Sequence, residues 1–100
     1  MANSKQAEKR IRQSLIRRDR NRAAMSRLRT SIKRLRSAAD SDVTKARELL
    51  PSTLSLIDAT ARKGVIHRNA AARRKSRLTR LVNRRVEAAA SATATAEPSD

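Results

Sequence analysis

The sequence predicts an all-α fold, a small antiparallel three-helix bundle with an extended basic first helix. Apolar residues recur at steps of three and four along three stretches, which is the spacing of one helix face. No stretch shows the polar-apolar alternation of a half-buried strand. In 100 residues there are one glycine, Gly64, and two prolines, so few positions interrupt a helix and one small domain is expected.

The first helix is predicted to run from about Ser4 to Ser37, because neither glycine nor proline interrupts this stretch. Its core-facing residues are Met25, Leu28, Ile32, Leu35 and Ala39. This apolar stripe fades between Leu15 and Ala23, where arginines occupy every side of the helix. A helix that is polar all round has no protein surface to pack on, so the N-terminal half is expected to project and to be ordered by its ligand.

The second helix is expected after a turn at residues 38–42 and runs from Val43 to about Lys63. Ser41 or Asp42 can act as its N-cap. Its predicted inner face consists of Val43, Ala46, Leu50, Leu54, Ile57 and Ala61. Pro51 removes a backbone donor, so a kink or break is expected near Leu50, with Ser52 able to cap a restarted helix.

Gly64 marks the turn into the third helix. It follows Arg62 and Lys63, and a glycine after cationic residues is typical of a helix C-terminus, where glycine adopts the left-handed conformation at little cost. The third helix is expected to start between Ile66 and Asn69, with Asn69 as the candidate N-cap. Its inner side consists of Ala71, Leu78 and Val82, with Leu81 and Val86 at the edges.

The domain is therefore expected to span residues 1–86. Residues 87–100 consist mainly of Ala, Ser and Thr with three acids, and they offer nothing large to bury. This low-complexity C-terminal tail is expected to be disordered.

Charge indicates the class of partner. The net charge is +16, and 19 of the 25 basic residues are arginine, whose planar fork suits phosphate. Residues 1–39 contain 13 basic and two acidic residues, residues 62–86 contain ten basic and no acidic residues, and acids outnumber bases elsewhere. This division favours a folded body with one side that binds a polyanion.

The third helix shows the clearest stripe of charge. Arg73, Arg77, Arg80 and Arg84 recur at steps of four, three and four, opposite the apolar side. The spacing also fits an ordinary solvated face. Because no acid interrupts the stripe, we favour a phosphate-binding role.

Composition excludes several other functions. Without aromatic residues the chain cannot stack bases on Phe or Tyr, and without cysteine it has no disulfide, zinc-thiolate or thiol chemistry. No apolar run is long enough to span a bilayer, and the N-terminus lacks a signal peptide, so a cytoplasmic location is expected. The single histidine, His67, has no acid partner nearby. It either caps a helix or bonds to a phosphate, sugar or base, and we expect no enzyme activity, cofactor or metal.

Several motifs resemble the family of bacterial small-subunit ribosomal protein twenty (S-twenty). The first is Met1-Ala2-Asn3 followed by Lys5, Ala7, Lys9 and Arg10; the second is Arg20-Asn21-Arg22 followed by residues 26–34. The most diagnostic block is Lys63-Gly64-Val65-Ile66-His67-Arg68-Asn69, with Ala71-Ala72-Arg73, Lys75-Ser76-Arg77-Leu78 and Asn83 after it. The similarity covers about residues 1–86. Ser4, Gln6 and Glu8 depart from the family pattern, and Pro51 is not typical of it.

The resemblance implies a structural protein that binds 16S ribosomal RNA directly and bridges its 5′ domain and penultimate stem. It also implies small-subunit proteins as partners and a ribosomal location in the cytoplasm. No membrane, small-molecule substrate or homo-oligomer is expected. The basic pattern and the matched motifs together give these expected RNA-binding residues: Asn3, Lys5, Lys9, Arg10, Arg17, Arg18, Arg20, Asn21, Arg22, Arg27, Arg29, Thr30, Lys33, Arg34, Lys63, His67, Arg68, Asn69, Arg73, Lys75, Arg77, Arg80 and Arg84.

Three alternatives remain open from the residues alone. A nucleoid-associated or histone-like DNA-binding protein shares the charge, although such proteins usually have lysine-rich tails and this tail is acidic. A cationic membrane-binding helix would need Trp, Phe or a wide apolar face. Docking on an acidic protein is possible as a secondary activity.

Overall fold

The computed structural model describes the backbone of residues 2–96 and the side chains of residues 4–92. Three α-helices follow one another in this part of the chain: α1 (Ala2–Ser41), α2 (Val43–Arg62) and α3 (Arg68–Ala96). The all-α three-helix prediction is confirmed. α3 continues past Val86, where the sequence pattern placed the end of the domain, and the disorder expected of the tail stays a prediction.

The α1–α2 corner is a single residue, Asp42. α1 continues to Ser41, past its expected end at Ser37, and Asp42 then adopts an extended conformation with φ −149° and ψ 92°. Its carboxylate accepts a hydrogen bond from the Lys45 backbone N–H at 3.3 Å, which confirms Asp42 as the N-cap. So short a connection makes α1 and α2 antiparallel neighbours.

Pro51 does not break α2, so of the kink or break expected near Leu50 the break is wrong and the kink stays a prediction. The helix is continuous from Val43 to Arg62, and Pro51 lies on its exposed side. Ser52 does not cap a second helix; its hydroxyl donates to the Leu49 carbonyl at 2.9 Å inside the continuous one. Packing of the opposite face against α1 and α3 offsets the hydrogen bond that proline cannot donate.

Gly64 has the conformation that the sequence predicted. Its φ is +79°, and it is the only described residue with a positive φ. Its N–H donates to the Ala61 carbonyl at 2.9 Å, and the Val65 N–H donates to the Thr60 carbonyl at 3.2 Å. These two bonds form a Schellman motif, which ends α2 and turns the chain toward α3.

His67, and not Asn69, caps α3. The helix begins at Arg68, and Nδ1 of His67 accepts a hydrogen bond from the Asn69 backbone N–H at 3.1 Å. The Ala71 N–H donates to the His67 carbonyl at 3.0 Å.

The core contains side chains from all three helices. Its largest fully buried apolar residues are Leu28 and Leu35 of α1, Ile57 of α2, and Leu78 and Val82 of α3. These positions agree with the stripes predicted from spacing. Alanines at positions 38, 39, 46 and 71 are also buried in this core.

Two buried threonines were absent from the predicted inner face of α2. Thr53 and Thr60 are 1% and 3% exposed, and each hydroxyl donates to the carbonyl four residues earlier, on Leu49 and Leu56 respectively. Because these bonds satisfy the hydroxyls locally, threonine can occupy a core position that hydrophobicity alone does not indicate. The Thr53 hydroxyl also lies 3.4 Å from that of Ser31 on α1.

The N-terminal half of α1 projects beyond the bundle. Every residue from Ser4 to Ala23 is exposed, and Ala24 is the first buried one. The Cα atoms extend 88 Å along the longest axis, and their radius of gyration is 20.5 Å, against about 13 Å for a compact domain of this length. The fading apolar stripe therefore predicted the geometry correctly, while ordering by a ligand stays a prediction.

Candidate nucleic-acid interface

A groove separates α1 from α3. Because each is antiparallel to α2, α1 and α3 run parallel to one another, and they contact each other far less than either contacts α2. The resulting α1–α3 groove has a volume of about 800 Å³. Its basic lining residues are Arg22, Arg29, Lys33 and Arg36 of α1 with Arg73, Arg74 and Arg77 of α3.

No acidic side chain lines this groove. Seven cations with no counter-charge repel one another, so the site is suited to a ligand with closely spaced negative charges. Arginine forks can each donate two parallel hydrogen bonds to a phosphate. The arrangement can bind a polyanionic backbone, and it contains no paired acid and base for catalysis.

The spacing of the sequence produces the groove. Arg29, Lys33 and Arg36 stand at steps of four and three on α1, so they share one side of the helix. The buried residues Leu28 and Leu35 directly precede Arg29 and Arg36, which places the cationic side next to the core-facing side. Burial of the leucines therefore fixes where the cations point.

The groove continues toward the C-terminal part of α3, where Arg80 and Arg84 join its lining. Here Arg85 Nη2 lies 3.0 Å from Asp40 Oδ1, and the side chains of Arg85 and Asp40 are 49% and 66% exposed. This ion pair links the end of α1 to α3 and leaves the other arginines unneutralised.

Eight of the residues expected to bind RNA line the groove and its continuation: Arg22, Arg29, Thr30, Lys33, Arg73, Arg77, Arg80 and Arg84. Thr30 already donates its hydroxyl to the Ser26 carbonyl at 2.9 Å, so only its oxygen remains to accept a bond. RNA contact by each of these residues stays a prediction.

The other expected residues lie elsewhere. Along the projecting part of α1 are Lys5, Lys9, Arg10, Arg17, Arg18, Arg20 and Asn21; further along α1 are Arg27 and Arg34; around the α2–α3 corner are Lys63, His67, Arg68 and Asn69. The side chain of Asn3 is outside the described residues. Lys75 lies on the α2 side of α3, where Nζ is 3.1 Å from Asp58 Oδ1, so it does not face the groove.

Two groove residues, Arg36 and Arg74, were not among those expected from the sequence. Arg36 extends the spacing of Arg29 and Lys33 by three residues, and Arg74 stands three residues before Arg77. The spacing could have indicated both. Their importance depends on α1 and α3 lying side by side, which neither helix reveals alone.

Other binding chemistry finds no support in the described part of the chain. Across it, no three His, Cys, Asp or Glu side chains come together as they would around a metal ion. Between residues 2 and 96 no helix is both long enough and apolar enough to cross a membrane.

Comparison with known proteins gives a consistent result. The sequence profile of the family described as Ribosomal protein S20 matches residues 2–83. A protein of Geotalea uraniireducens named small ribosomal subunit protein bS20 is 52% identical over 84 residues, which cover 83% of this chain and 97% of the relative. The protein of the same name from Aquifex aeolicus is 46% identical over 88 residues, covering 87% of this chain and 94% of the relative.

Proposed function

This chain belongs to the ribosomal protein S20 family, and on that premise we propose that it is a structural component of the small ribosomal subunit that binds 16S ribosomal RNA. Proteins of this family are non-enzymatic components of the ribosome, so this chain acts in the ribosome, in the cytoplasm. The relatives give no support to the nucleoid-associated alternative.

One observation carries the assignment of the binding surface: seven cations and no acid line the α1–α3 groove. In A-form RNA the major groove is too deep and narrow for side chains, so recognition relies on phosphates, 2′-hydroxyls and shape. A rigid groove of arginines selects RNA by the spacing of its phosphates. Base identity contributes little, because the chain has no aromatic side chain for stacking.

The shape of the molecule supports a bridging role. The groove lies within the bundle, whereas the projecting half of α1 presents a second basic surface beyond it. A third surface, between α1 and α2, is lined by the cations Lys33, Arg34 and Lys45 and by one acid, Asp42. Basic surfaces in different directions can hold separate RNA helices together. By family resemblance we assign these to the 5′ domain and the penultimate stem, contacted by a monomer beside other small-subunit proteins.

The experiment is a salt series of binding to a 16S ribosomal RNA transcript, with duplex DNA of equal length as competitor. Arg73→Gln and Arg77→Gln each remove a groove cation. Each should lower affinity for the RNA and reduce the slope of log affinity against log salt by roughly 0.7–0.9, the value for one phosphate contact.

Arg47→Gln is the matched control, because Arg47 is an exposed arginine of α2 that does not line the groove. It should leave both affinity and slope close to those of the unaltered chain. Equal losses in all three variants would show that only total charge matters. Equal affinity of the unaltered chain for RNA and DNA would contradict the function itself.

A further inference from the structure

Three large apolar side chains are exposed on the projecting half of α1, where no other helix covers them. Ile11, Leu15 and Ile16 are 60%, 50% and 53% exposed. Large apolar residues clustered on an otherwise charged surface often mark a contact with a partner. Two of the three share one face of the helix.

Ile11 and Leu15 continue the face that lines the α1–α3 groove. Ile11, Leu15, Arg18 and Arg22 stand at steps of four, three and four in one unbroken helix, so their side chains form one ridge. Arg22 already lines the groove. We name these four residues the α1 ridge.

Ile16 points elsewhere. At 3.6 residues per turn it lies about 100° around the helix from Leu15. It shares a separate surface indentation with Gln13, Arg17 and Arg20, none of which lines the groove. Ile16 therefore matches Ile11 and Leu15 in chemistry and exposure but not in direction.

The only two acids among the first 39 residues also flank the apolar part of the ridge. Glu8 stands three residues before Ile11, and Asp19 stands four residues after Leu15. Neither forms an ion pair among the described side chains. Carboxylates repel phosphates but accept hydrogen bonds from hydroxyl and amino groups, so this face is suited to sugars and base edges.

We propose that Ile11 and Leu15 lie in the minor groove of an RNA duplex and pack against its riboses, with Glu8 and Asp19 accepting hydrogen bonds from 2′-hydroxyl groups. The inference rests on the proposed function, because it extends the same RNA-binding surface along α1. Arg18, also on the α1 ridge, and Arg12, about 100° around the helix from Ile11, are placed to reach the phosphates that border the minor groove of the RNA.

The dimensions favour RNA over DNA. An α-helix with its side chains is about 10–12 Å across. The minor groove of A-form RNA is wide and shallow and displays the 2′-hydroxyls, whereas that of B-form DNA is only about 6 Å wide. The α1 ridge can enter the minor groove of A-form RNA but not that of B-form DNA. These residues therefore distinguish RNA from DNA without reading the base sequence.

The test uses two full-length variants. One is a double variant that combines Ile11→Ala and Leu15→Ala, and the other is the control Ile16→Ala. Binding to the 16S transcript and to duplex DNA is measured across a salt series. The double variant should bind the RNA about tenfold more weakly, with an unchanged salt slope because no phosphate contact is lost. Its affinity for DNA should not change, and Ile16→Ala should behave as the unaltered chain does on both.

Unfolding cannot explain the expected loss. The replaced side chains lie outside the core, and alanine favours a helix more than isoleucine or leucine does. Circular dichroism and thermal melting check this directly. Full RNA affinity in the double variant would overturn the proposal, and so would an equal loss with Ile16→Ala. Failure of the proposed function would appear separately, as no RNA preference in the unaltered chain.

Discussion

Gly64 and His67 hold the corner between α2 and α3 by two different local devices. Gly64 supplies a positive φ, which lets two backbone N–H groups return to the last carbonyls of α2. His67 supplies a side-chain acceptor for the first turn of α3. Each device satisfies backbone groups that a helix end leaves unpaired. The corner in turn decides how α3 lies against α2 and α1.

Replacement of Gly64 by valine should destabilise the protein by about 1–2 kcal/mol, because L-residues resist the left-handed conformation. A Cβ at this position would meet no atom within 4 Å, so the cost comes from the backbone and not from a clash. Gly64→Asn, which tolerates the conformation better, should cost less. Urea unfolding measures both, and an unchanged midpoint for Gly64→Val would contradict the assigned conformation.

For His67, alanine should lower stability by about 1 kcal/mol, the usual effect of losing an N-cap. Asparagine can accept the same hydrogen bond and should restore it. A comparison of His67→Ala with His67→Asn also distinguishes the two roles that the sequence left open, helix capping and contact with RNA. His67 is among the residues expected to bind RNA, so His67→Asn should keep full stability but bind 16S ribosomal RNA more weakly; unchanged binding would show that His67 acts only as the N-cap.

At the scale of elements, the two halves of α1 differ in whether other helices pack against them. Its second half packs through Leu28 and Leu35, whereas Ser4 to Ala23 has no neighbour. An isolated helix of this length is only marginally stable in water, since packing normally supplies most of its stability. Continuous helical geometry in α1 therefore does not imply uniform stability.

Hydrogen exchange should reveal the two halves of α1. In the free protein, backbone amides up to about Ala23 should exchange rapidly, while those between Leu28 and Leu35 should exchange slowly. Binding of 16S ribosomal RNA should protect the first group. Strong protection of the first group without RNA would contradict the ordering of this segment by its ligand.

At the scale of the whole molecule, stability and binding depend on the same charges. The chain carries a net charge of +16, and its described side chains form two ion pairs, both partly exposed. Exposed pairs each contribute little. Repulsion across the α1–α3 groove opposes folding of the free protein, and RNA phosphates remove that repulsion.

The free protein should therefore melt at a higher temperature as salt increases. Between 0.01 M and 1 M the Debye length falls from about 30 Å to about 3 Å, which screens the arginines from one another. A relief of about 1 kcal/mol corresponds to roughly 4–8 °C for a domain of this size. Calorimetry in sodium chloride checks the trend, and a constant or falling Tm would show that repulsion does not limit stability.

The sequence by itself determined most features that depend on neighbours along the chain, although the N-cap of α3 is His67 and not the expected Asn69. Periodicity fixed the three helices and most of the core, because a helix presents every third or fourth residue on one face. Gly64 and Asp42 fixed both corners, since each acts on the backbone beside it. An excess of arginine indicated a polyanionic partner. The projection of α1 followed from the end of its apolar stripe.

Only the tertiary structure decided what depends on residues distant in the chain. Arg36 and Arg74 line the α1–α3 groove because α1 and α3 lie parallel. Lys75 does not line the groove, because it forms an ion pair with Asp58 of α2. Pro51 stays within a continuous helix because packing on the opposite face outweighs one lost hydrogen bond. These outcomes depend on contacts between helices, and local propensity does not specify which faces meet.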